Sequence, residues 1–251
     1  MSRITSRGAT GPLSLVANGA FQTSTDTSLA TLCGSRWDLS DGREVALVYN
    51  SSAGAIAAGL NTQSPAIVAN HQNIAVSAYQ AYSANGNVPA KVTVTLGATA
   101  ATANQYAGGY VVVNDVNGEG QTLKIASHPA ADASGSLAIT LEEGATVALT
   151  TSSEVCLIAN PFYNIIVHPT TTTGSLAGIT LYALPASTYG FTVTNGVTSC
   201  LNDANTAAGL PLMRSTNTAG ALMTFASTGA LVGNAAQAGV TTEYRAIQVN
   251  I

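Results

Sequence analysis

Apolar and polar residues alternate in steps of two along much of this chain. Lys91-Val92-Thr93-Val94-Thr95-Leu96 places Val92, Val94 and Leu96 on one face and Lys91, Thr93 and Thr95 on the other, the period of a strand buried on one side. Short apolar runs of the same kind recur at 109–113, 121–125, 137–141, 147–149, 155–158, 165–167 and 179–182. Asn117-Gly118, between the first two of these runs, predicts a hairpin, because both residue types tolerate the positive φ of a tight turn. Asn195-Gly196 predicts another, with Tyr189–Thr194 leading in and Val197–Leu201 returning. Leu210–Met213 and Ala221–Phe225 predict a third around Gly220, and Glu243–Ile251 predicts a terminal strand that ties the C-terminus into a sheet. Only Ile74–Tyr82 reads as helical, with Ala75, Tyr79 and Tyr82 spaced by four and three.

The expected fold is therefore all-β, with small β-barrel or β-sandwich modules and an extended N-terminal arm. The turn-formers Ser83-Ala84-Asn85-Gly86-Asn87-Val88-Pro89 and the run His168-Pro169-Thr170-Thr171-Thr172-Thr173-Gly174 mark boundaries. They divide the chain into an arm (1–42), a small N-terminal module (43–89), a central β domain (90–169) and a C-terminal β-barrel or sandwich (170–251). The arm is rich in Ser, Thr, Ala and Gly, with weak periodicity, and is expected to be ordered by a neighbouring subunit and protease-sensitive when free.

Composition sharpens this picture. Only 8% of the 251 residues are charged, against about a quarter in an ordinary soluble domain. Giving up charge repulsion fits a membrane protein, a disordered chain or a subunit built to lie against copies and neighbours. No apolar run reaches the ~20 residues of a membrane helix, and a hydrophobic content of 46% in patterned runs argues against disorder. The third reading is the expectation. The first residues lack the apolar core of a signal peptide, so the expected site of synthesis is the cytoplasm. Eight dispersed basic residues and a net charge of -4 point away from nucleic acid. Cys33, Cys156 and Cys200 read as small buried hydrophobes.

Candidate chemistry is sparse. Asp115-Val116-Asn117-Gly118-Glu119-Gly120 matches the first half of a calcium loop, with oxygens from Asp115, Asn117 and Glu119, but position twelve is Ala126 rather than Glu. A polar hairpin tip is the competing reading, and chelators are expected to change nothing. His71, His128 and His168 stand apart and read as exposed loop histidines. Glu142-Glu143 read as solvated turn charges, and Asn50-Ser51-Ser52 fits a glycosylation acceptor that lacks a secretion signal. There is no nucleophile elbow and no phosphate loop. No catalytic residue, metal or cofactor is expected. The lone Trp37 anchors the arm, in its own core or a neighbour's pocket, and Trp37, Tyr106, Tyr110, Tyr189 and Tyr244 are the interface candidates, because these rings join apolar area to a polar tip. Strand edges offer a further route to pairing between subunits.

The segment Val92 to Ile125 (VTVTLGATAATANQYAGGYVVVNDVNGEGQTLKI) and the ending Glu243–Ile251 after Leu231-Val232-Gly233-Asn234-Ala235 resemble virion structural proteins of tailed bacteriophages, most of all capsid decoration (cement) proteins. The resemblance spans roughly the C-terminal two thirds. It implies a β-rich homotrimer on the outer surface of the phage head, bridging copies of the major capsid protein of the same virus, with no membrane or nucleic-acid partner. Neutral Thr, Ser and Asn surfaces suit that role, since they lose less on desolvation than charged ones. The alternatives are a tail, fibre or head–tail connector protein, the major capsid protein itself, and, outside viruses, an adhesive or carbohydrate-binding β module.

Overall fold

The computed structural model describes residues 4–6, 16–17, 20–51, 53–226 and 229–251. It is all-β. The strands are β1 (Ile4–Ser6), β2 (Val16–Ala17), β3 (Ala20–Phe21), β4 (Arg36–Leu39), β5 (Glu44–Asn50), β6 (Asn61–Gln63), β7 (Ile74–Gln80), β8 (Lys91–Thr95), β9 (Tyr110–Asp115), β10 (Thr122–Ser127), β11 (Ser136–Leu141), β12 (Glu154–Ile158), β13 (Tyr163–Val167), β14 (Leu176–Thr180), β15 (Tyr189–Leu201), β16 (Pro211–Arg214), β17 (Leu222–Thr224), β18 (Leu231–Ala235) and β19 (Tyr244–Asn250). The chain forms two units, one of residues 66–160 and one of residues 1–65 with 161–251.

Residues 66–160 form a closed barrel in the order β10-β11-β8-β7-β12-β9. The alternation in the sequence is its wall. Val92 and Val94 of β8 point inward, directly opposite Ile139 and Leu137 of β11. They meet Val111, Val113, Leu123, Ile125, Val155 and Leu157 in one core. The predicted hairpin at Asn117-Gly118 forms between β9 and β10, with Gly118 at φ +84°. The segment expected to be helical is strand β7. Ile74 and Val76 are buried and bond to β12 and β8, so completing the ring outweighs a weak helical spacing. Closure pairs every strand on both sides, so edge pairing between subunits has no edge to use in this barrel.

The other unit is built around the longest strand. β15 runs for 13 residues through Asn195-Gly196 without turning, which corrects the expected hairpin. Tyr189–Asn195 pairs with β5, and Asn195–Leu201 pairs with β19. The register shifts between Val193 and Asn195. Gly196 sits at φ +103° where the partners change, and a Cβ there would lie 2.9 Å from the Arg43 Cα. The turn-forming dipeptide thus serves as an irregularity inside a continuous strand. The first half of β15 completes a closed ring with β5, β13, β6 and β14, around Val48, Ile165, Ala177 and Leu184. The second half continues through β19, β18, β16 and β17, and a parallel bridge from Leu222 to Asn202 returns β17 to the end of β15. Cys200, Leu212, Leu222, Val232, Ile247 and Val249 fill that ring. The expected hairpin of β16 with β17 and the terminal strand β19 are both present.

These pairings replace the fourfold division at residues 42, 89 and 169. β5 and β6 fall in the expected 43–89 module, β13 in the 90–169 domain and β14 and β15 in the 170–251 domain, yet all five bond in one ring. The arm is also reassigned in part. Residues 1–3, 7–15 and 18–19 lie outside the described residues, but from Asp26 onward the segment belongs to the core. Asp26 caps a short 3₁₀ turn over Thr27–Leu32 by accepting from the Ser28 N–H at 2.9 Å. The turn and β4 carry Leu29, Cys33, Trp37 and Leu39 against Val45, Leu47, Tyr189 and Phe191.

Candidate functional site

The calcium-like segment does not converge. Asp115 accepts from the adjacent Val116 N–H. Asn117 instead reaches across the barrel end, donating to the Ala148 carbonyl at 2.5 Å, while its own carbonyl accepts from Ser153 Oγ at 2.6 Å. Asp115, Asn117 and Glu119 are exposed, and no group of three His, Cys, Asp or Glu among the described residues is placed to hold a metal. Glu142 and Glu143 are exposed turn residues, as expected. Asn50 is buried, its amide donating to the carbonyls of Gly54, Leu184 and Pro185, so it is no glycan acceptor.

Three of the five interface candidates are core residues. Trp37 packs edge-on against Phe191, and Tyr189 against Tyr49. Tyr106 is buried between His71 and His128. Trp37 and Tyr189 are buried by strand position and Tyr106 by the turn that precedes β9, neither of which composition reveals. Tyr110 is half-buried, with Lys124 Nζ 5.1 Å from its ring centroid. Tyr244 is 51% exposed. Cys33 and Cys200 are buried and Cys156 is half-buried on the outer side of β12; none of the three is joined in a disulfide. Burial pushes the Cys33 and Cys200 thiols up to about 12, so both stay protonated and inert.

All three histidines are buried, which corrects their placement on exposed loops. His71 Nε2 donates to the Thr99 carbonyl, leaving Nδ1 to accept from the Tyr106 hydroxyl. His128 Nε2 accepts from the Tyr106 N–H, and Nδ1 donates to the Pro129 carbonyl. The two rings satisfy loop backbone that the barrel ladder leaves unpaired, and burial holds His128 below its ordinary pKa. His168 is different. It is 1% exposed, and neither ring nitrogen has a partner among the described residues.

Two places on the larger unit combine shape with unmet chemistry. The first is a pocket of about 370 Å³ whose wall includes His168, Arg214, Met213 and Ala230, with Thr170, Thr172 and Thr216 at its rim. Burial first, and then the neighbouring Arg214 charge, depress the His168 pKa to about 4. The second is a groove of about 400 Å³ lined by Ala57, Ala58, Gly59, Thr180, Leu181, Thr198, Ser199 and Tyr244. No ionisable group lies in its wall apart from the Tyr244 phenol. It adjoins the outer face of β15 and β19, where Asn195, Val197, Ser199 and Leu201 lie opposite Asn250, Gln248, Ala246 and Tyr244. None of these eight side chains carries a charge.

Behind that face lies Arg245, 2% exposed, with Nε, Nη1 and Nη2 all lacking partners among the described residues. It stands directly opposite Cys200 in the ladder, and desolvation lowers its pKa. The sequence carried a sign of this. Period two puts Arg245 on the same side of β19 as Ile247 and Val249, and it is the residue that spoils an otherwise apolar face. The sequence marked His168 only as an exposed loop histidine and gave no sign of the pocket it lines.

No family model matches the chain, and no curated protein or solved structure does either. Among the described residues, no helix is long and apolar enough to cross a membrane.

Proposed function

We propose that this protein is a structural subunit of a virion, a capsid decoration protein that lies on the outer surface of a phage head and braces the shell by lateral contact. Its partners in this reading are the major capsid protein of the same virus and two further copies of itself. The observation that carries the reading is the uncharged surface formed by the β15–β19 face and the adjoining groove at Tyr244. Covering such a surface removes no ionised group from water, so most of the apolar area it buries counts toward association. Tyr244 supplies the large ring typical of an interface anchor, seated against Gly59, where a Cβ would approach the ring to 2.8 Å. Closed strand rings suit a spacer that must bear load without exchanging strands.

The test pairs sedimentation with binding to particles. The purified chain is expected to sediment as a trimer or to bind emptied phage heads, and Val197→Lys with Tyr244→Arg is expected to abolish both while leaving the circular dichroism unchanged. A monomer that binds neither heads nor tails would overturn the reading, and binding to tails alone would replace the head assignment with a tail one.

A further inference from the structure

The pocket at His168 lies outside the uncharged face, and its chemistry is the opposite of neutral. Arg214 ends β16, a strand bonded on both sides by β17 and β18, so its backbone is fixed. Its guanidinium is buried, and Nη1 donates to the Gly174 carbonyl at 3.0 Å. No carboxylate among the described residues forms an ion pair with it. Asp203, the acid nearest in the fold to Ser215, is occupied by Ser215, Asn217 and Thr218. A guanidinium has five N–H donors in a planar fork, and most of these are unused here. His168 ends β13. Its N–H donates to the Asn61 carbonyl at 3.0 Å, and its carbonyl accepts from Gly220 at 2.8 Å. The backbone is thus held at both ends while the buried imidazole keeps two unpartnered nitrogens. Leaving the two ring nitrogens of His168 dry and unpaired costs about 1–3 kcal/mol each, so the imidazole lacks a partner that an occupant would supply.

The chemistry of the wall selects that occupant. One fixed positive charge with a neutral imidazole balances a monoanion, whereas a dianion would leave a net buried negative charge. A carboxylate matches the guanidinium fork in two parallel hydrogen bonds. Met213 and Ala230 add apolar wall, and Thr170, Thr172 and Thr216 add hydroxyls at the mouth. We propose that this pocket binds a small monocarboxylate, its two oxygens paired with Arg214 and hydrogen-bonded to the His168 ring, its short aliphatic part against Met213 and Ala230. The carboxylate comes either from a free organic acid or from a Glu side chain of an adjoining polypeptide. Binding raises the proton affinity of the imidazole, so the complex tightens as the pH falls.

The experiment is a titration followed by NMR of the ring signals of His168, with butyrate, with a blocked Ala-Glu-Ala peptide and with sulfate as probes on the intact chain. The expected result is a saturable shift of the His168 ring signals with butyrate or the peptide, an upward move of its titration midpoint, and affinity weakened at least about tenfold in Arg214→Gln. Thr216→Val, at the exposed rim, is expected to weaken binding less. Saturation by butyrate alone identifies a free acid, by the peptide alone a neighbour's side chain, and by both a site open to either. Tighter binding of sulfate, linear shifts with every probe, or equal affinity in Arg214→Gln would overturn the proposal. If that variant does not fold, the wild-type midpoint decides, since a midpoint unmoved by saturating butyrate rejects the site.

Discussion

Acid should destabilise this protein through His168, and the size of the effect follows from the structure. In the unfolded chain the imidazole takes up a proton below about pH 6.5. In the fold, burial and the Arg214 charge delay that step until about 4. Between those values the unfolded state binds more protons, so stability is complete above pH 6.5, falls as the pH drops and levels off below about 4. The gap of about 2.5 pH units, at about 1.4 kcal/mol each, gives a ceiling of about 3 kcal/mol. Water entering through the pocket mouth reduces it, so the expected loss between pH 7 and about 4.5 is about 2 kcal/mol. Urea denaturation at both pH values, in buffers free of carboxylates, measures it in the wild type and in His168→Gln. Burial also lowers the His128 pKa, so its protonation destabilises the fold in the same direction. Asp26, Asp41 and Asp203, all held below the usual carboxylate range, contribute at the acid end. All four are present in both proteins and cancel in the difference. Parallel stability curves for wild type and His168→Gln would refute the reasoning.

Three further outcomes are expected. Arg245→Met should raise the urea midpoint, by about 1–3 kcal/mol of stability, because it replaces a buried charge lacking partners with an apolar chain of similar length; a loss of stability instead would mean that the guanidinium has found compensation. Ile139→Ala should cost about 2–5 kcal/mol, since Ile139 is fully buried in the six-stranded barrel opposite Val92, and a cost under 1 kcal/mol by denaturation would contradict that packing. EDTA should leave the calorimetric midpoint unchanged, because Asn117 is spent on Ala148 and the Asp115–Glu119 oxygens do not converge.

Local pattern carried much of the fold. Residues that alternate, such as Val92 with Val94 and Leu137 with Ile139, became barrel walls, because a strand places every second side chain on one face whatever its partner. The Asn117-Gly118 turn and the terminal strand were legible for the same reason: φ preference and period are properties of the chain itself. The candidate sites were far less legible. Whether Tyr244 lies outside and Tyr189 inside depends on which strands flank them, and both look alike in composition.

What the sequence determined alone was the all-β class, the low charge and the alternating stretches, since each rests on residue type and spacing. Tertiary structure alone decided that Asn195-Gly196 is crossed by a continuous strand, that β5 and β15 close one ring from distant segments, and that His168 meets Arg214 across a pocket. Those outcomes depend on which distant backbone satisfies which hydrogen bonds, and hydrogen-bond partners far apart in sequence leave no periodic trace in it.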